Sequence, residues 1–243
     1  VGAISILGTV DVGNSLAAIK KLVFDEKKLT MDRLCRALDS NFEGCEDIRN
    51  MCLQAPKFGN DDDYVDEEVA WVTHIVTEET KKCKTPYGGR KFPVLVPMSS
   101  YVPAGLGVGA LASGRLAGEP LSDGVSPTKG SDVKGPTAIL KSVGKINNAD
   151  VSLGQTLNMR IDPKVFEKED GFKRLADLIR AFVDQKVDHV QINVVSSETL
   201  RAAQREPYKY RDLVVKVAGY NARFADLHKA LQGSIIARTE RGL

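Results

Sequence analysis

The stretch from Phe92 to Gly135 limits the fold more than any other. It opens with a short β-prone run, Val94 to Tyr101, bracketed by Pro93 and Pro103. A long tract rich in Gly, Pro and Ser follows, through Gly105-Leu-Gly-Val-Gly109, Ser113 to Pro127 and Gly130 to Thr137. Such a composition belongs either to a flexible linker or to a long ordered loop. In both cases it divides the chain. Residues 1–90 read as mainly helical, and residues 91–243 carry most of the strands. The Gly105-x-Gly107-x-Gly109 run is not a dinucleotide fingerprint, because the spacing is wrong and no clear helix opens after it.

Within the first part, Leu16, Ile19, Leu22 and Val23 recur at helical spacing between Asp11 and Leu29, with Lys20, Lys21 and Lys27 on the other side. Thr30 is placed to cap a second helix through Leu34 and Leu38. A third helix is predicted from Glu46 to Leu53, stopped near Pro56. The longest runs from Asp63 to Cys83, with Asp66, Glu67 and Glu68 early and Lys81 and Lys82 late, as the helix dipole favours.

After the Gly-rich tract, strands and helices alternate. Pro136 to Lys145 reads as a helix with proline in its first turn. Leu157 to Ile161 is a short strand ended by Asp162-Pro163. Asp170 to Gln185 is an amphipathic helix with Phe172, Leu175, Leu178, Ile179 and Phe182 on one face. His189 to Val195 alternates as a strand, and Ser197 caps a helix through Leu200 that stops before Pro207. This alternation predicts an α/β fold, either a partial barrel or a layered domain.

Several function classes are excluded. The net charge is +2 with no basic run, so no nucleic-acid footprint is indicated. No stretch approaches the about 20 apolar residues of a membrane span. Val1 to Leu7 lacks a basic n-region and a clear cleavage site, so it does not read as a signal peptide. It starts without Met inside an apolar run, so a piece of a longer chain is expected. Cys35, Cys45, Cys52 and Cys83 form no C-x-x-C pair, which removes a zinc or thioredoxin reading and points to a reduced cytoplasmic setting. His74, His189 and His228 show no metal spacing. Asn60-Asp61-Asp62-Asp63-Tyr64 is not an EF-hand loop, and its acids read as caps for the helix behind them. No metal is expected. No Gly-x-Ser-x-Gly elbow is present, which argues against an α/β-hydrolase.

Near the end, Leu213-Val-Val-Lys-Val-Ala-Gly-Tyr-Asn-Ala-Arg-Phe224 runs β-prone residues straight into Gly219, with an aromatic and a short amphipathic helix expected behind it. Taken alone, that glycine is a turn or bulge at the end of a buried strand. However, Lys216-Val217-Ala218-Gly219-Tyr220 resembles the Arg-Val-x-Gly-Tyr loop of the glycyl radical enzymes, departing from it at the first position. An α-carbon radical must flatten and delocalise into both flanking peptides, and a Cβ would crowd that geometry. The tract Gly109-Ala-Leu-Ala-Ser-Gly-Arg-Leu-Ala-Gly-Glu-Pro-Leu-Ser-Asp-Gly-Val-Ser-Pro127 is similar to the family's Gly-Ala-x-x-x-Gly-Arg-x-Ala-x-x-Pro-Leu-x-Asp-Gly segment, and Gly135 to Val143 continues it. Ser15 to Phe24 and Pro56 to Asp61 resemble the family's helical region.

The resemblance implies the C-terminal part of a ten-stranded β/α barrel with flanking helices, ending in a glycine radical domain at about 120–243. It implies Gly219 as the catalytic radical carrier, with Val217, Ala218 and Tyr220 as its loop. It makes Arg115, Glu119 and Asp123 structural ion-pairing groups in a tract that wraps the barrel. No cofactor is implied as permanently bound; a radical S-adenosylmethionine (SAM) activating enzyme with an iron–sulfur cluster installs the radical. The family's thiyl cysteine has no motif here. Gly44-Cys45-Glu46-Asp47 matches a Gly-Cys-x-Glu pattern, but it lies among predicted helices and reads as a coincidence, with Cys45 a small packing residue. A partner half carrying that cysteine, a small-molecule substrate and an oligomeric state are therefore expected. Tyr101-Val-Pro-Ala-Gly105, Asn158 to Asp162 and the tail Ile235 to Glu240 look closer to the dehydratase and arylacetate decarboxylase branches. That implies a lyase, with Tyr101 and Pro103 as pocket wall or as plain barrel packing. Two other roles fit the same resemblance: a spare part that restores oxygen-damaged enzymes, or a scaffold without radical chemistry. The setting implied is the cytoplasm of an anaerobe or a microcompartment within it.

Overall fold

A computed structural model describes residues 1–239. Glu240, the last residue of the tail that carries part of the resemblance, lies outside the described residues.

Strand β1 (Gly2–Ser5) is built from the apolar start of the chain and pairs in parallel with β2 (Lys91–Val94), Gly2 opposite Lys91. The expected strand from Val94 to Tyr101 is thus displaced toward the N-terminus. Pro93 sits inside β2, and Tyr101 opens a short helix, α5 (Tyr101–Leu106), with Pro103 in its first turn. Proline presets the backbone angle of a first helical turn and needs no donor there, which explains the shift.

Between β1 and β2 lie four helices: α1 (Thr9–Ile19), α2 (Met31–Asp39), α3 (Glu46–Gln54) and α4 (Asp63–Lys82). The first does not run on to Leu29 as a regular helix. From Lys20 to Asp25 it widens into a π-helical turn, with Glu26 N–H reaching Lys21 O. Thr30 caps α2 as expected, its hydroxyl accepting Arg33 N–H at 3.3 Å. Asp62 caps α4 through Tyr64 N–H at 3.1 Å. The neighbouring acids have a second task that spacing could not show. Asp61, Asp63 and Asp66 converge on the Lys145 ammonium at 3.3, 2.6 and 2.8 Å. Burial alone would lower the Lys145 pKa, but hydrogen bonds to Asp63 and Asp66 outweigh it and leave it raised. Burial pushes the Asp66 carboxyl up against the pull of Lys145 and Ser142.

The second part contains α6 (Pro136–Gly144), β3 (Leu157–Ile161), α7 (Gly171–Asp184), β4 (Val190–Val194) and α8 (Ser197–Arg205). Ser196 rather than Ser197 caps α8, accepting Thr199 N–H at 3.1 Å. Strands β3 and β4 pair in parallel, Leu157 opposite Val190. A parallel bridge between Leu95 and Gln155 joins the end of β2 to the start of β3. The four strands therefore form an arc of parallel elements. Their crossovers are helical, as parallel strands require. The main core fills the space between that arc and the helices, with Val10, Val69, Leu95, Leu140 and Leu157 buried.

The Gly-rich tract is an ordered wrap, not a linker. Arg115 organises it. Its guanidinium donates to the carbonyls of Gly109 at 2.9 Å, Gly105 at 2.8 Å, Val108 and Glu119. At Arg115 carbonyl contacts thus take the place of the expected ion pair, which suits a tract rich in free backbone oxygens. Glu119 accepts Leu116 N–H at 3.0 Å, and Asp123 accepts the Asn158 amide at 3.2 Å. Asp11, buried on α1, accepts both the backbone N–H and the hydroxyl of Ser122, tying the wrap to the helical part. Gly124 passes so close to the strands, at φ +59°, that a Cβ would sit 2.3 Å from Thr156 O. Only glycine fits that approach.

Candidate functional site

The chain from Leu213 onward builds a hairpin, not a strand and helix. Strand β5 (Val214–Lys216) pairs antiparallel with β6 (Asn221–Arg223), Val215 opposite Ala222. The helix that follows, α9 (Lys229–Thr239), begins only after a 3-10 turn at Phe224–Asp226. Residues 217–220 form the tip, closed by Val217 N–H donating to Tyr220 O at 2.9 Å. Gly219 lies in that tip at φ +95°. A Cβ there would stand 2.6 Å from Val96 Cγ1, beyond the end of β2. The position is glycine's for both backbone and steric reasons.

The hairpin is anchored from below. Val217 and Ala218 are fully buried, and Val215 and Phe224 pack with Leu200, Leu231 and Ile235 in a second core between the hairpin, α8 and α9. Gly219 itself is exposed and Tyr220 half-buried in this chain. The tip therefore presents its glycine while its neighbours hold it down.

Two residues that sequence reasoning passed over complete the arrangement. Gln191 Oε1 accepts Gly219 N–H at 3.1 Å. Asn193 accepts Lys216 N–H at 2.8 Å and donates to Lys216 O at 2.9 Å. Both amides point to the buried face of β4, with 5% and 7% of their surface exposed. The alternation gave no signal for them: Val190, Ile192 and Val194 hold its apolar positions, so the two amides read as the solvent face until the structure turns them inward.

The other expected site residues fall as follows. Tyr101 is buried in the second core, its hydroxyl 3.3 Å from Ser234 Oγ, and Pro103 is exposed on α5. Neither lines the cavity of about 60 Å³ beside the start of α6, nor the groove of about 230 Å³ between β4 and the hairpin. In the first cavity Arg160 is held down to about 10 by burial. Cys45 packs in a third cluster with Leu22, Leu34 and Phe42, separate from the hairpin's core. Tertiary structure also brings His74, Glu78 and Asp150 within 4.8 Å of one another, which the spacing of the histidines hid. The Lys81 ammonium contacts both carboxylates, at 2.6 and 3.4 Å, and supplies the positive charge that cluster calls for.

Two family models match. The pyruvate formate lyase-like model covers residues 2–105, and the glycine radical model covers residues 121–225, Gly219 included. This chain belongs to the glycyl radical enzyme family. The isethionate sulfite-lyase of Desulfovibrio desulfuricans is 46% identical over 242 residues, covering 98% of this chain and 29% of that protein. The trans-4-hydroxy-L-proline dehydratase of Clostridioides difficile is 41% identical over 236 residues, covering 97% and 30%. Among solved structures, the B12-independent glycerol dehydratase from Clostridium butyricum superposes with a TM-score of 0.94 at 43% identity, over 97% of this chain and 30% of that one. The chain spans about 30% of the length of the relatives it matches. The α/β arc with flanking helices is accordingly the C-terminal part of a glycyl radical enzyme barrel, and the dehydratase and lyase character of its relatives accords with the branch that the sequence resembles. No described helix is long and apolar enough to cross a membrane.

Proposed function

We propose that this chain is the glycine-bearing part of a glycyl radical lyase, of dehydratase or decarboxylase type, that cleaves a C–O, C–C or C–N bond of a small organic substrate. One observation carries the reading. Gly219 stands at φ +95° in a tight, well-anchored tip, inside the segment that matches the glycine radical family. Val217 and Ala218 anchor the loop and Tyr220 closes it. We read residues 1–90 as helical scaffold, 91–243 as barrel strands and wrap, and about 120–243 as the glycine radical domain.

In this reading a radical SAM activating enzyme, an iron–sulfur protein, removes the α-hydrogen of Gly219 as an atom. The unpaired electron left on Cα delocalises into the two flanking peptides. In turnover that radical takes a hydrogen atom from a cysteine thiol; the S–H bond breaks, the Cα–H bond re-forms, and a thiyl remains to abstract hydrogen from substrate. The cysteine comes from outside this chain, on a partner half or on the rest of the same polypeptide, since Cys45 is committed to a separate core. The surrounding barrel excludes water and orients the substrate. Tyr101 is better placed to brace the hairpin's core than to face a substrate. A spare-part protein needs little beyond the glycine segment, whereas the pyruvate formate lyase-like residues 2–105 fit a catalytic scaffold. Such chemistry suits an oligomer in the cytoplasm or a microcompartment of an anaerobe.

The test is electron paramagnetic resonance of the complete protein under strict anaerobiosis, with a competent activating enzyme, S-adenosylmethionine and reductant. A doublet from one α-hydrogen, absent in Gly219→Ala, is the expected result. No signal with a demonstrably competent activator would reduce the chain to an inactive scaffold.

A further inference from the structure

Strand β4 does an unusual thing with its buried face. A side-chain amide taken out of water is costly unless its donors and acceptor are used. Here the amides of Gln191 and Asn193 are turned inward onto one target, the backbone at Lys216 that enters the hairpin tip and at Gly219 within it. Strands β4 and β5 share no backbone ladder, since each belongs to a different two-stranded sheet. A groove of about 230 Å³ separates them. Asn193 crosses at its edge and makes with Lys216 the two bonds a neighbouring strand would make, because a carboxamide carries the donor and acceptor of a peptide group. Gln191, two residues earlier on the same face, takes the N–H of Gly219 itself.

We propose that Gln191 and Asn193 are positioning residues for Gly219, a two-amide clamp that sets the register of β5 and the orientation of the peptide plane entering the glycine. The proposal rests on Gly219 as the radical carrier. An α-carbon radical is stabilised only when the peptide planes on both sides line up with it. The tip's own closure, Val217 N–H to Tyr220 O, spans the glycine but leaves the direction of the Gly219 N–H open. Gln191 settles it. The clamp is made of side chains, so it holds the glycine without committing it to a sheet.

Backbone hydrogen exchange read by fragmentation mass spectrometry tests this on the complete, unactivated protein. In the parent protein the Gly219 amide, though on an exposed residue, is expected to exchange at least tenfold slower than in a free peptide. An unprotected Gly219 amide overturns the clamp whatever any variant does. Gln191→Leu should raise Gly219 exchange roughly tenfold, in line with one lost hydrogen bond. Gln191→Glu keeps an acceptor and should restore protection. Asn193→Leu should release Lys216 in the same way, while amides in β3 stay unchanged. Equal exchange in Gln191→Leu and Gln191→Glu overturns the assignment of Gln191. After activation, the radical of Gln191→Leu should decay about tenfold faster than that of the parent; an equal lifetime would overturn the positioning role while leaving the hydrogen bond standing. A parent protein that shows protection but never a radical would instead sink the reading of Gly219, so the two failures are distinguishable.

Discussion

Replacing Gly219 with alanine separates the chemistry of the tip from its stability. The backbone stands at φ +95°, where an L-residue pays about 1–2 kcal/mol. The new Cβ would also sit 2.6 Å from Val96 Cγ1. Valine is stiff at χ1, so relieving that contact forces an off-rotamer side chain at about 0.5–1.5 kcal/mol. Together these come to about 1.5–3.5 kcal/mol, on the order of 3–14 °C in Tm for a chain of this size. The strain stays local, because Val217, Ala218, Val215 and Phe224 anchor the hairpin from below. Calorimetry should therefore show a folded protein with a lowered Tm, and resonance spectroscopy should show no radical. Adding Val96→Ala should return about 1 kcal/mol of stability and none of the radical. A normal radical yield in Gly219→Ala would refute the assignment of the radical to this glycine, and an unchanged Tm would refute the strain argument.

Other perturbations follow from the same structure. Arg115→Lys should lose most of the carbonyl contacts that shape the wrap, lowering stability by about 3 kcal/mol and opening residues 105–120 to limited proteolysis. Lys145→Met leaves the Asp66 carboxylate buried without its cation and should cost about 3–5 kcal/mol by thermal denaturation; adding Asp66→Asn should recover most of that. Burial lowers the Lys57 ammonium to about 8 although it donates to Cys52 O and Ala55 O. The unfolded chain then binds the extra proton above that pH, so stability from this group should rise between about pH 8 and 10.5, and Lys57→Met should lack that rise in denaturant titrations. Air admitted to the activated protein should cut it at Gly219, giving by mass spectrometry a fragment that ends at the tip; cleavage elsewhere would contradict the radical's placement.

The readings that succeeded were those carried by local chemistry. Thr30 and Asp62 cap their helices because a side-chain oxygen two or three residues from an orphan N–H needs nothing distant to form its bond. The helix α7 and the strand β4 likewise follow from period, but their burial does not: of the predicted α7 face Leu178 and Phe182 pack on the core while Phe172 and Ile179 stay exposed, and β4 buries Gln191 and Asn193 more deeply than Val190 and Ile192. The readings that shifted were those where two allowed local structures compete. Pro93 could start or sit within a strand, and pairing with β1 decided it. The residues behind Gly219 could continue as helix or fold back, and the antiparallel partner of β5 decided that.

By itself, the sequence determined the helical first part, the α/β alternation of the second, and a glycine tip after a β-prone run, since each depends on residues a few positions apart. Its ordered motifs also named the family. Only the tertiary structure decided that the Gly-rich tract is a wrap held by Arg115, that acids beside α4 gather on Lys145, and that Gln191 and Asn193 reach the glycine tip. The contacts of Lys145, Gln191 and Asn193 join residues far apart in the chain, and those of Arg115 reach carbonyls within ten residues of it. Their partners are backbone atoms and charges common to every sequence, so no pattern along the chain could mark them.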